Sequence, residues 1–121
     1  MLEQLRPHVV ARRMWEIDVA ALAARGIQGV ILDLDNTLAP WRSLALPEEA
    51  LAWAASARAA GLRLSIVTNA LTTARVQPVA ERLEAPWVVR AGKPLARGFL
   101  AGMQRMGTTP ATTAVVGDQM L

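Results

Sequence analysis

Two aspartates, Asp33 and Asp35, stand at the end of the apolar run 29–32. An apolar run of β-forming residues that ends in acids is typical of a buried strand that delivers carboxylates to the edge of a sheet. Two unit charges roughly 4 Å apart repel each other by about 4 kcal/mol at an effective dielectric near 20. A proton or a divalent cation between them would relieve this repulsion, and their oxygen ligands favour Mg²⁺.

A simpler interpretation assigns the two acids to local structure. Asp33 would end the strand and Asp35 would begin a turn, since the next residues, Asn36 and Thr37, tolerate turn conformations. One acid would satisfy that interpretation, but Asp33 directly continues the apolar run. Because a buried ionised carboxylate without a partner is costly, a functional or paired role is the better prediction.

Further polar residues follow the other apolar runs of the chain. Thr68 and Asn69 end the second run, Lys93 lies just behind the third, and Asp118 follows the fourth. In open parallel sheets, ligands bind at the carboxyl ends of the strands. We therefore expect these side chains to gather with the two aspartates at one edge, although each of them alone could be a turn former or a surface residue.

The chemistry that suits this set is phosphoryl transfer. The Asp33 carboxylate can attack phosphorus to form an aspartyl-phosphate, which divides one difficult displacement into two easier steps. Asp35 can protonate the leaving oxygen and later accept a proton from water. Thr68, Lys93 and Mg²⁺ would stabilise the charge on the phosphoryl oxygens, and Asp118 would complete the metal shell.

The elements that must position these residues alternate between strand and helix. This order predicts an α/β fold with right-handed parallel crossovers. Pro78 is expected to kink or restart the third helix. The first strand begins at residue 29 and the other strands are predicted over residues 62–67, 86–90 and 112–116; helices are predicted over 18–25, 47–60, 72–83 and 95–106.

Length and composition limit the class of protein. The 121 residues suffice for one layered domain, 1–121, and residues 1–17 are expected to form an arm over its core. The net charge of +3 comes from scattered arginines without interleaved aromatic residues, which gives little support to nucleic-acid binding. The sequence has no apolar stretch near 20 residues, no signal core and no cysteine, so we expect a cytoplasmic protein without a transmembrane segment.

Four short motifs resemble those of one enzyme superfamily. Asp33–Thr37, Thr68–Asn69, Lys93–Pro94 and Gly117–Gln119, in this order and spacing, are similar to the four motifs of the haloacid dehalogenase phosphatases. Within that superfamily the chain most resembles the cap-less subfamily IIIA phosphatases of the YqeG type. The resemblance extends over nearly the whole chain, and its first motif is the most specific.

The resemblance implies a Rossmann-like three-layer sandwich with a mainly parallel sheet, and hydrolysis of phosphate monoesters. It implies that Mg²⁺ is bound by the carboxylates of Asp33 and Asp118 and by the carbonyl of Asp35. Thr37 and Asn69 would contact the substrate. Relatives of this branch include phosphatidylglycerophosphate phosphatases, so a lipid phosphate at a membrane surface is one implied substrate. The short connector 39–46 leaves no room for a cap domain.

Two departures from the family pattern matter. Ala70 stands where this branch often has a second Asn, and the pattern continues with a further strand and helix beyond Leu121. We therefore expect weaker Mg²⁺ binding and more self-association than in a longer chain. Two alternatives stay open: a non-catalytic phosphate-binding or scaffold module, and a receiver-like phosphoacceptor domain. The acid at Asp35 argues against a receiver, which has no need of an acid two residues after its acceptor.

Overall fold

The computed structural model describes residues 14–33, 47–68, 73–89 and 95–117. A 3₁₀ turn at Met14–Glu16 precedes the first helix, and a second one at Pro110–Thr112 precedes the last strand. The regular elements alternate along the chain as the sequence predicts. They are α1 (Val19–Ala24), β1 (Gly29–Asp33), α2 (Glu48–Ala59), β2 (Arg63–Thr68), α3 (Thr73–Leu83), β3 (Trp87–Val89), α4 (Leu95–Met106) and β4 (Thr113–Gly117).

The four strands form one parallel sheet in the order β3-β2-β1-β4. β1 lies inside the sheet and pairs along its whole length with β2 on one side and β4 on the other. The last residue of β1, Asp33, is in register with Val67 of β2 and with Gly117 of β4. A wholly parallel sheet with helical connections confirms the predicted α/β, Rossmann-like fold.

Helices cover both faces of the sheet and give it three layers. Val30 and Leu32 pack into a core with α1, α2 and α3, whereas Ile31 packs into a second core with α4. This division follows from the alternation of side chains along a strand. Because both faces are covered, the strand is apolar at consecutive positions rather than at every second one.

The element boundaries differ from the predicted ones by a residue or two at several ends. Leu62 was predicted to begin the second strand, but its amide N–H instead donates to the carbonyl of Ala57 across the end of α2. Gly61 has a φ of +87° in this turn, a conformation that glycine adopts without strain. β2 therefore starts at Arg63 and runs one residue further, to Thr68.

Pro78 lies within α3, which continues without a break from Thr73 to Leu83. Of the two predicted outcomes, a restart of the helix is therefore wrong. Val76, Val79 and Leu83 are fully buried against the sheet, and this packing offsets the one backbone hydrogen bond that proline cannot make.

The described part of the predicted arm packs on the core. Met14 and Ile17 are buried in the cluster that covers the α1–α3 face of the sheet. The indole Nε1–H of Trp53, on α2, donates to the carbonyl of Ile17 at 3.0 Å. The contact joins the start of the described chain to the layer of helices; residues 1–13 of the arm lie outside the described residues.

Gly102 lets α4 lie close to the sheet, and its replacement by Val is expected to destabilise the fold. A Cβ at this position would lie 3.3 Å from both Ile31 Cδ1 and Val67 Cγ2. The further methyls of valine would overpack this contact, at a cost of about 1–3 kcal/mol. Gln104→Val is the matched control, since Gln104 is exposed on the same helix. Urea unfolding measures the free energy of unfolding of both variants. Equal losses of stability would contradict the close contact.

Candidate functional site

The carboxyl ends of all four strands lie at one edge of the sheet, because the strands are parallel. The final residues are Asp33 of β1, Thr68 of β2, Val89 of β3 and Gly117 of β4. The order of the strands in the sheet also reverses beside β1. β1 leads to β2 and β3 on one side, whereas β4 lies on the other side of β1. In folds of this kind such a switch point opens the crevice in which ligands bind, and Asp33 stands beside it.

Asp33 is the partly exposed last residue of an otherwise buried strand. Ile31 and Leu32, which precede it, are fully buried, whereas Asp33 itself is half-buried. Its Oδ1 atom has less than 1 Å² of accessible surface. The apolar residues of β1 thus fix the backbone of the acid, and the end of the sheet gives it access to solvent. This is a suitable position for a carboxylate that must meet a ligand in one fixed orientation.

Thr68 is at the same edge but belongs to the other face of the sheet. It is 1% exposed and pairs in register with Val89 of β3. By strand alternation it shares its face with Ile66, on the side of α1–α3, whereas Asp33 shares its face with Ile31, on the side of α4. The structure brings Asp33 and Thr68 to one edge, and the predicted hydroxyl contact with a phosphoryl group stays a prediction.

The other predicted site residues lie outside the described residues. They are Asp35, Thr37, Asn69, Lys93 and Asp118. Asp35 follows β1 by two residues, and Asn69 and Asp118 directly follow β2 and β4. Within the described ranges no cluster of three acidic, histidine or cysteine side chains could hold a metal ion. The magnesium ligands and the catalytic roles therefore stay predictions.

A hard divalent cation suits the donor that the structure describes here. Asp33 presents a carboxylate, and Oδ1 of that carboxylate is already removed from solvent by the fold. Carboxylate oxygens are the ligands that Mg²⁺ prefers, and one or two of them from the protein are usual. The chemistry of Asp33 therefore fits the predicted cofactor.

Three helices begin at this edge of the sheet. α2, α3 and α4 each follow a strand in a parallel arrangement, so their amino-terminal ends lie near the carboxyl ends of the strands. Unpaired N–H groups and the helix dipole make such ends favourable for anions. Together with the switch point, the amino-terminal ends of α3 and α4 make this edge suited to a phosphate group, whereas α2 carries Glu48 and Glu49 in its first turn.

An open groove elsewhere on the described surface contains none of the predicted site residues. It lies between the start of α1 and α2, and its walls include Trp15, Trp53 and Ser56. Asp18, beside this groove, is the N-cap of α1 and accepts hydrogen bonds from the N–H groups of Ala20 and Ala21 at 2.9 and 3.2 Å. Asp18 thus serves the local fold, and the edge at Asp33 is the better candidate site.

Comparison with known proteins gives the class to which this fold and edge belong. Residues 43–120 match the family model of haloacid dehalogenase-like hydrolases. The match covers more than half of the chain, and the chain belongs to that family. The matched segment begins after Asp33 and Asp35, so the match says nothing about those two positions.

The chain is also similar to the probable phosphatase YqeG of Bacillus subtilis (strain 168). The two are 29% identical over 115 residues, which is 95% of this chain and 66% of that protein. The chain thus spans about two thirds of the length of the curated relative that it matches. The search of solved structures gave no significant match.

Proposed function

We propose that the chain is a Mg²⁺-dependent phosphatase that hydrolyses phosphate monoesters through an aspartyl-phosphate on Asp33. One observation supports this most: Asp33 ends an inner strand of a parallel sheet, at the switch point between β1 and β4. Membership of a hydrolase family and similarity to a probable phosphatase agree with it. The carboxyl edge, near the amino termini of helices, suits a phosphate ester.

In the first half-reaction, a carboxylate oxygen of Asp33 forms a bond to phosphorus while the bond from phosphorus to the leaving oxygen breaks. Asp35 donates its proton to that leaving oxygen, and the alcohol departs. In the second, Asp35 takes a proton from water as the water oxygen attacks phosphorus. The bond between Asp33 and phosphorus then breaks, which releases inorganic phosphate and restores the carboxylate.

The remaining residues stabilise and orient the phosphoryl group. Thr68 and Lys93 donate hydrogen bonds to its oxygens, and Asn69 and Thr37 contact the substrate. Asp33, Asp118 and the carbonyl of Asp35 would hold Mg²⁺. When bound, the cation neutralises charge on the phosphoryl oxygens and on the paired carboxylates.

We propose a lipid phosphate, of the phosphatidylglycerophosphate kind, as the substrate, met by a cytoplasmic protein at a membrane surface. Only residues 34–47 separate β1 from α2, and only residues 69–72 separate β2 from α3. Both segments are shorter than a separate domain of ordinary size. A site without a cap can receive a phosphate that stays attached to a bulky or membrane-borne group. Within the described residues, no helix is long and apolar enough to cross a membrane.

Release of phosphate from a soluble aryl phosphate tests the proposed activity. We expect repeated turnover with Mg²⁺ and a loss of at least about 100-fold when the metal is removed with a chelator, because the cation stabilises the charge of the transition state. Phosphate binding without turnover would instead indicate a non-catalytic module. One equivalent of phosphorylation without release would indicate a receiver-like domain. Either result would contradict the phosphatase assignment.

A further inference from the structure

Charge is unevenly divided between the two helical layers of the molecule. Apart from Asp33, every acidic residue of the described part belongs to the α1–α3 layer and is exposed there. The opposite layer, which consists of α4, has no acidic residue. The acidic residues of the first layer are Glu16, Asp18, Glu48, Glu49, Glu81 and Glu84.

The outer face of α4 is basic and partly apolar. Arg97, Leu100, Gln104 and Arg105 recur at helical spacing and are exposed. Among the described residues, Leu100 is the one large hydrophobic side chain that is exposed, at 38%. Arg97 and Arg105 form no ion pair and no hydrogen bond with any part of the chain that the structure describes. Both guanidinium groups are therefore available to an external partner.

A third arginine extends this face at the carboxyl end of α4. Arg63, the first residue of β2, donates from Nη1 to the carbonyl of Met106 at 2.6 Å. The hydrogen bond holds the Arg63 guanidinium next to the last turn of α4. In the described part of the chain, α4 and the adjoining Arg63 thus carry three arginines, and α4 itself has no acidic residue.

We propose that the outer face of α4 docks on an anionic lipid surface. Arg63, Arg97 and Arg105 would contact lipid phosphate groups, and Leu100 would enter the boundary between headgroups and acyl chains. A stable protein–protein interface normally has aromatic or aliphatic anchors over roughly 800 Å² on each partner. One partly exposed leucine is too little for that, whereas clustered positive charge with limited apolar area suits a lipid surface.

This docking would bring the site to its substrate, and that consequence rests on the proposed function. α4 begins at the carboxyl edge of the sheet, and Asp33 belongs by strand alternation to the face that α4 covers. A lipid surface against α4 would therefore adjoin the edge that contains Asp33. A phosphate monoester in that surface could reach the site while its acyl chains remain in the membrane.

Vesicle binding by the whole chain tests the docking surface. Arg97→Gln with Arg105→Gln is expected to weaken binding to phosphatidylglycerol-containing vesicles by about 25-fold, since each arginine near an anionic surface contributes about five-fold. Arg25→Gln with Arg82→Gln is the matched control, because it removes the same charge from exposed positions on the opposite layer. We expect the control pair to change binding by less than about two-fold. Sedimentation with anionic and with pure phosphatidylcholine vesicles measures both pairs.

Several results would overturn this proposal. One is an equal loss of vesicle binding in the α4 double variant and in the control double variant. Another is binding to neutral vesicles that is as strong as binding to anionic ones. The third is no binding of the unmodified chain to anionic vesicles. Self-association that is lost in the α4 pair, without vesicle binding, would assign the face to a second copy of the chain. Hydrolysis of a soluble aryl phosphate, which needs no membrane, distinguishes failure of the docking proposal from failure of the proposed function. Vesicle binding that depends on α4 without hydrolysis would uphold the docking surface and contradict the phosphatase.

Discussion

Replacement of Asp33 by Asn is expected to lower kcat for a phosphate monoester by at least about 1,000-fold, because an amide cannot replace the carboxylate as nucleophile. The side chain keeps its size and shape, so the end of β1 should keep its pairing with β2 and β4. The free energy of unfolding should change by no more than about 1 kcal/mol. Steady-state hydrolysis and urea unfolding of the same preparation measure the two effects.

Asp18→Asn is the matched control for this substitution. It removes one carboxylate from the described structure, but Asn keeps the side-chain oxygen that caps α1. We expect its kcat to stay within about two-fold of the unmodified chain, since Asp18 lies in the α1–α3 layer and not at a strand end. Turnover retained within a few-fold in Asp33→Asn would remove Asp33 from the mechanism.

Replacement of Asp35 by Asn is expected to slow both half-reactions by about 100- to 10,000-fold, the range of general acid–base catalysis. The first step loses the proton for the leaving alcohol, and the second loses the base that activates water. If the second step suffers more, the aspartyl-phosphate accumulates. Alcohol release would then show a rapid phase of up to one equivalent, followed by slow turnover.

Leaving groups of different basicity distinguish this role from a general loss of structure. An aryl phosphate with an acidic phenol needs little proton donation, so Asp35→Asn should slow its first step less than that of an alkyl phosphate. A misfolded variant would lose activity toward both substrates to the same extent. An equal loss with both leaving groups, in a variant with unchanged unfolding behaviour, would contradict the acid–base role.

Much of the fold could be predicted because its signals are local. The run of buried residues Val30, Ile31 and Leu32 predicts a strand covered on both faces, and it packs into both cores. α4 has the predicted bounds, since its amphipathic pattern continues to Met106 and Gly107 follows with a φ of +71°. Pro78 was harder to interpret, because the packing of α3 on the sheet is a tertiary effect that the local sequence does not contain.

The candidate site was only partly predictable for a similar reason. Asp33 was predicted at a strand end from its neighbours alone, and that position is confirmed. Whether Asp33 and Thr68 lie on the same face of the sheet depends on the register of the two strands, and a shift of one residue reverses the answer. β2 begins one residue later than predicted and extends to Thr68. The roles of both residues in catalysis stay predictions.

The basic face of α4 could not be predicted from the amino-acid composition. Arginines such as Arg97 and Arg105 look scattered along the sequence, and their pattern there gives little support to nucleic-acid binding. Their common face appears only when the orientation of α4 on the sheet is known. That orientation depends on the close contact at Gly102 and on the burial of Phe99 and Met103, which are packing effects between distant parts of the chain.

The central claim, a phosphatase that acts through Asp33, is tested most directly by locating the covalent phosphoryl group. The Asp35→Asn variant would be mixed with a reactive aryl phosphate and Mg²⁺, quenched in acid, digested and sequenced by mass spectrometry. We predict one phosphoryl group per chain on Asp33, and none when Asp33→Asn is added to the same variant. A phosphoryl group on another residue, or one that persists in the double variant, would contradict the account.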